Sequence, residues 1–187
     1  MRRGPRASRE LRGALRDATA VLILGLVTSA CGYALVGKGI TTDPSVKRIG
    51  VPLFKDRTGK PGLDQRITHA VIEELLKRGR FQVVQTAEDV DAIVDGELLS
   101  YTVAPVGFQG AGNTQTQPST YRISLVARAR YAKTGADQPI WANDNFSYSD
   151  EYDLGSSENY FDREDEALER LTTAFSRQLV SSMLEAF

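Results

Sequence analysis

The chain has 187 residues, with 23 Lys and Arg against 24 Asp and Glu for a formal charge of −1, a length that suits one domain plus a short appendage. One cysteine and one histidine exclude an internal disulfide, a thiolate cluster and a paired-imidazole metal site. Six basic and two acidic residues fall in the first 30, so the remainder carries 17 basic against 22 acidic residues, a poor balance for binding nucleic acid.

The first 30 residues read as an export signal. Arg2, Arg3, Arg6, Arg9, Arg12 and Arg16 precede an apolar run from Ala20 to Val27, which closes on Thr28, Ser29 and Ala30. The run falls short of the ~20 apolar residues of a spanning helix, and a basic flank with a small-residue exit defines a secretory signal. The pair Arg2-Arg3 lies too far from the apolar core for a twin-arginine signal, so the general export route is expected. Cys31, the only cysteine, follows at once. This arrangement resembles the lipobox of bacterial lipoproteins, with Thr28 where Leu is usual. It implies a diacylglycerol and an N-acyl chain of the palmitate type on Cys31, and no other cofactor. The expected organisation is a signal peptide at 1–30, a lipidated cysteine and tether at 31–45, and one domain at 46–187, anchored to a membrane rather than spanning it.

Val46 to Phe54 gives the first strand signal, with Pro52 marking an edge or an end because it cannot donate to a ladder. Residues 55–62 are turn chemistry. From Leu63 to Arg78 an amphipathic helix is expected: Leu63, Ile67, Val71 and Leu75 recur every four residues, and Gly79 follows as a stop. His69, on this helix, reads as a surface residue. Short and long strands follow at Phe81–Val84 and from Ala92 to about Val103, the latter with a mixed pattern. Ile93, Leu99 and Tyr101 oppose Val94 and Leu98. Pro105 to Ser119 reads as a long functional or mobile loop. Its glycines do not make a phosphate loop, because a strand follows where a helix N-terminus is needed.

That strand alternates cleanly, with Tyr121, Ile123, Leu125, Ala127, Ala129 and Tyr131 on one face and Arg122, Arg128 and Arg130 on the other. It returns through Ile140–Tyr152 as a meander. A last helix is expected from about Asp162, as cap, to Ala186, its stripe running through Leu168, Leu171, Phe175, Leu179, Met183 and Phe187. The acids Glu164, Asp165 and Glu166 read as its solvated start. The fold class is therefore α+β: a mostly antiparallel or mixed four-stranded sheet with two helices packed on one face. No local signature of a catalytic triad, Cys-x-x-Cys or His-Glu-x-x-His occurs. No catalytic or metal residues are assigned, and a non-enzymatic protein is expected.

Several short motifs, in order, are similar to the LptE family of lipopolysaccharide-assembly lipoproteins. They are Cys31-Gly32-Tyr33-Ala34-Leu35, then Phe54-Lys55-Asp56-Arg57-Thr58, where Asn is usual at Asp56, and Pro61-Gly62-Leu63-Asp64, where Glu is common at Asp64. Gly79-Arg80-Phe81, Asp89-Val90-Asp91-Ala92 into Gly96, Thr120-Tyr121-Arg122 and Trp141 complete the pattern. The resemblance implies an outer-membrane lipoprotein facing the periplasm that plugs the LptD β-barrel, helps it fold and assists lipopolysaccharide insertion. Gly32 rather than Asp after the anchor agrees with outward sorting. Family contacts to lipopolysaccharide lie on basic residues in loops at one end. The matching loops, Pro105–Ser119 and Asp153–Asp162, carry no Lys or Arg, so Arg122, Arg128, Arg130 and Arg163 are the candidate lipopolysaccharide or barrel contacts. Without the resemblance, the same residues also fit a free-standing periplasmic lipoprotein that binds a soluble ligand or polymer at the Pro105–Ser119 loop.

Overall fold

A computed structural model describes residues 45–78, 80–110, 117–155 and 159–185. The signal, Cys31, the tether through residue 44, Gly79 and the last two residues lie outside the described residues. The elements are β1 (Arg48–Gly50), β2 (Lys55–Asp56), α1 (Leu63–Lys77), β3 (Gln82–Val84), β4 (Ala92–Gln109), β5 (Gln117–Lys133), β6 (Trp141–Asp153) and α2 (Tyr160–Leu184).

One sheet runs in the order β3-β1-β4-β5-β6, with β2 also paired to β4. The expected four strands are six: the short strand read at Phe81–Val84 joins the sheet as β3, and the run at 46–54 ends in a separate two-residue β2, too short for an alternation to show. The pairs β1–β3, β1–β4 and β2–β4 are parallel. The crossover through α1 demands this of β1 and β3, since parallel neighbours cannot be joined by a tight turn. The pairs β4–β5 and β5–β6 are antiparallel, the predicted meander.

The strand expected at 46–54 is divided. Pairing to β4 stops at Gly50↔Ile93 and resumes at Lys55↔Glu97. Pro52, with no N–H, falls in the gap. The detour turns Phe54 inward, where it is 2% exposed, and its amide donates to Thr68 Oγ1 at 3.0 Å. After β2, Asp56 Oδ1 accepts from both Thr58 N and Thr58 Oγ1 at 2.7 Å. This Asx turn explains the motif, because the Asn usual there offers the same oxygen. Gly62, at φ 74°, then caps α1 in a left-handed conformation that glycine adopts without steric cost.

The α1 stripe lands as the spacing predicts, with Leu63, Ile67, Val71 and Leu75 all at 0% exposure; each such burial contributes roughly 1.5–3 kcal/mol. On α2, the buried residues Leu168, Leu171, Phe175, Leu179 and Met183 face the same core. Its cap is Asn159, which accepts from Phe161 N at 3.0 Å, rather than Asp162, which is inside the first turn. Both helices share one apolar cluster with Ile123, Leu125, Ala127 and Ala129 of β5, the face that alternation assigns. The mixed pattern of β4 comes from an irregularity between Leu98 and Ser100. Val94 and Leu98 are buried before it, whereas Tyr101 and Val103 pack on the core after it, so the apolar parity changes once along the strand. The described ends of the segment Pro105–Ser119 are ribbon rather than loop: pairing continues through Phe108↔Pro118 to Gln109↔Gln117.

Candidate functional site

The sheet face opposite the helices gathers Arg122, Arg128 and Arg130, six and two positions apart on β5. Each lies across from a carboxylate in register. Arg130 pairs with Asp95 at 3.1 Å, and Arg128 reaches Glu97 at 3.2 Å and Asp144 at 3.0 Å. Arg122 holds Glu151 Oε1 through Nη2 at 2.7 Å and Nε at 3.0 Å. Arg57 adds a second cation to Glu97 at 2.6 Å. The exposed pairs of Arg122 and Arg130 contribute only about 0–1 kcal/mol each to stability, whereas Glu97, its side chain 12% exposed, is shared by Arg57 and Arg128. Their consequence is electrical: the face is a charge-compensated lattice, not a cationic patch. Between the ion pairs, Ser124 stands opposite Thr102 and Ser149, and Val126 opposite Ser100 and Ser147. The surface is thus polar, with small hydroxyl side chains around Val126.

Arg163 is not part of this face. It stands on the first turn of α2, reaching Glu166 at 2.8 Å and the Asp153 carbonyl at 3.4 Å. The next two residues tie the same turn to other elements: Glu164 to Lys60 and β4, and Asp165 to Arg66 of α1 at 3.0 Å.

Glu164 corrects the reading of the acidic helix start. Asp165 and Glu166 are solvated, with side chains 65% and 60% exposed, but that of Glu164 is 11% exposed. Its Oε1 accepts from Lys60 Nζ at 2.7 Å and Tyr101 Oη at 2.8 Å. Burial raises the carboxyl pKa, yet the Lys60 and Tyr101 hydrogen bonds outweigh it and hold Glu164 below its ordinary value. Burial first, then the bond to Glu164, pushes Tyr101 far up. Burial and its neighbour Tyr160 do the same to Tyr152. Tyr121, Tyr152 and Tyr160 pack together here, at 5.6 Å for the stacked Tyr121–Tyr152 pair and 5.2 Å for Tyr121–Tyr160. The signal was in the spacing: Glu164 precedes Leu168 by four, on the apolar stripe.

On the helix layer, a groove of about 870 Å³ is lined by Leu53, His69, Glu73, Gln85, Glu169 and Thr173, among others. His69 is 68% exposed and 3.4 Å from Glu73, in the surface role expected. Among the described residues no three His, Cys, Asp or Glu side chains are grouped to hold a metal ion. No described helix is long and apolar enough to cross a membrane.

Residues 46–183 match the model of LptE, described as lipopolysaccharide-assembly. The chain belongs to the LptE family. The match spans the sheet and nearly all of both helices, and so includes the compensated sheet face and the Glu164 cluster. No curated protein sequence matches the chain. Among solved structures it is similar to an uncharacterized lipoprotein B of Nitrosomonas europaea, at 15% identity and a TM-score of 0.51, covering 75% of this chain and 86% of that one. A Chlamydia trachomatis protein matches at 11% identity and a TM-score of 0.49, with 75% and 99% covered. The Nitrosomonas likeness supports the fold alone.

Proposed function

We propose that this LptE-family chain is a non-enzymatic outer-membrane lipoprotein, anchored through acyl chains on Cys31. In this role it plugs and helps fold an LptD-type β-barrel and assists delivery of lipopolysaccharide to the outer leaflet. The family match over the domain carries the reading. The compensated sheet face supports it physically. A barrel lumen is polar, and a face whose arginines already have carboxylate partners can be covered without leaving an unpaired charge. Several acyl chains on one cysteine give a stable anchor where one chain would not.

Photo-crosslinking from the hydroxyl belt tests the barrel contact. A photoreactive residue in place of Ser124 or Ser149 is expected to trap one large outer-membrane β-barrel in cells. Capture of no barrel protein from either position would contradict the plug.

A further inference from the structure

The sheet ends on two unequal edges. β3 has three residues, whereas β6 runs from Trp141 to Asp153 and pairs only with β5. α2 covers one face of β6, with Phe175 against Phe146 at 5.2 Å, and leaves the outer edge open. One irregularity interrupts the strand, opposite Ala127 and Ala129, and from Phe146 onward the pairing is regular. An edge of this length is a template for a further strand unless Lys, Pro or a covering element blunts it. β6 contains no Lys and no Pro.

The backbone bonds say which amides are open. Leu154 N donates to Ser119 O at 2.7 Å, in register with the β5–β6 ladder. By the alternation of an antiparallel pair, the amides of Tyr152, Asp150 and Tyr148 then point to β5, and those of Glu151, Ser149 and Ser147 point away. Glu151 N donates instead to Asp150 Oδ1 at 2.9 Å, and Asn145 N to Asn143 Oδ1 at 2.9 Å. Between these two amides, each held by a side chain of its own strand, Ser147 N and Ser149 N have no acceptor among the described residues. Both serines belong to the hydroxyl belt. Sealed in a plugged lumen, an amide without an acceptor costs as much as a lost hydrogen bond.

We propose that an extended segment of the β-barrel partner pairs with β6 along residues 146–150 and adds a strand to the sheet. The inference rests on the plug reading above and names the backbone contact within it. A closed barrel wall has no free edge, so the segment comes from a part of the partner outside the wall. Charge favours this occupant over a second copy. β6 carries Asp144, Asp150, Glu151 and Asp153 and no basic residue, so self-pairing brings acids against acids. A segment bearing Lys, Arg, Ser or Thr meets acceptors instead. Arg122 takes only Oε1 of Glu151, and Arg128 only Oδ1 of Asp144, which leaves one oxygen on each carboxylate.

Ser149→Pro removes an outward N–H at an edge position, where proline is tolerated, and Ser149→Ala keeps it. Each acylated protein is extracted from outer membranes in mild detergent, and the co-purifying barrel is measured. The proline variant is expected to stay folded and to recover at least about tenfold less barrel than the alanine variant. Equal recovery from both, with barrel bound to wild type, would overturn the strand pairing and leave the plug standing. No barrel from wild type would overturn the plug itself, and this inference with it. Where the proline variant unfolds, hydrogen exchange on the unsubstituted protein decides. Peptides across residues 146–150 are expected to exchange at least about tenfold more slowly in the barrel complex than in the free lipoprotein. Unchanged exchange would overturn the proposal. So would slowing that follows the concentration of the free lipoprotein, which assigns the edge to a second copy.

Discussion

The ring of Phe54 fills the space that a side chain on Gly96 would need. A Cβ built there would stand 2.6 Å from Phe54 Cδ2 and 2.8 Å from Cζ, well inside contact distance. The first residue comes from the detour forced around Pro52, and the second lies on β4, where pairing to β1 has lapsed. Two motif positions far apart in sequence are therefore one packing unit.

Gly96→Ala is expected to destabilise the domain by about 1–3 kcal/mol through overpacking, and Phe54→Ala by about 3–5 kcal/mol through the cavity left behind. Urea unfolding checks both. Combining Gly96→Ala with Phe54→Leu should cost less than the sum of the single changes, since a smaller side chain admits the methyl group. Strict additivity would show that the two do not share the space.

The Asx turn at Asp56 gives a sharper discrimination. Asp56→Asn keeps the Oδ1 acceptor for Thr58 and should leave the unfolding midpoint nearly unchanged. Asp56→Ala removes both bonds and should lower stability by about 1–3 kcal/mol, at roughly 0.5–1.5 kcal/mol per bond. An equal loss in both variants would show that the charge, not the acceptor, matters.

At Glu164 the sign of the pH dependence follows from its lowered pKa. Its contribution is full above the unfolded value of 4.5 and is lost as pH falls through the lower folded value. Thermal unfolding between pH 7 and 3 should show wild type losing stability below about pH 4.5 relative to Glu164→Gln. A constant gap between the two across that range would contradict the ion-paired cluster. Lys60→Met at neutral pH leaves a buried carboxylate with only its phenol partners, and should cost about 3 kcal/mol.

Much of this was legible in the sequence where one period holds over a whole element. The α1 stripe and the alternation of β5 predict their buried faces residue by residue, because each element has one side in the core. Legibility fails where a local event changes the period. The irregularity after Leu98 exchanges the faces of β4, and Pro52 divides one apolar run into two short pairings. The uncharged segment from Pro105 reads as loop because β-ribbon pairing there is held by backbone bonds, not by an apolar face. The arginines of β5 are placed correctly by alternation. Their neutralisation is not, because Asp95, Glu97, Asp144 and Glu151 come from the neighbouring strands and only the register brings them opposite.

Cys31→Ala is expected to release the domain into the soluble periplasm without unfolding it, since the described core runs from Val46 to Leu184. Fractionation with limited proteolysis measures both. Recovery wholly in the membrane fraction, with the signal removed, would contradict the lipid anchor.

The barrel partnership is the central claim, and stoichiometric co-purification tests it most directly. The protein, tagged at its C-terminus, is extracted from outer membranes in mild detergent and washed stringently. One large β-barrel protein recovered at near-equal stoichiometry is the predicted result. Recovery of the lipoprotein alone, from membranes that contain the barrel, would contradict the plug and favour a free-standing ligand-binding lipoprotein of the same fold.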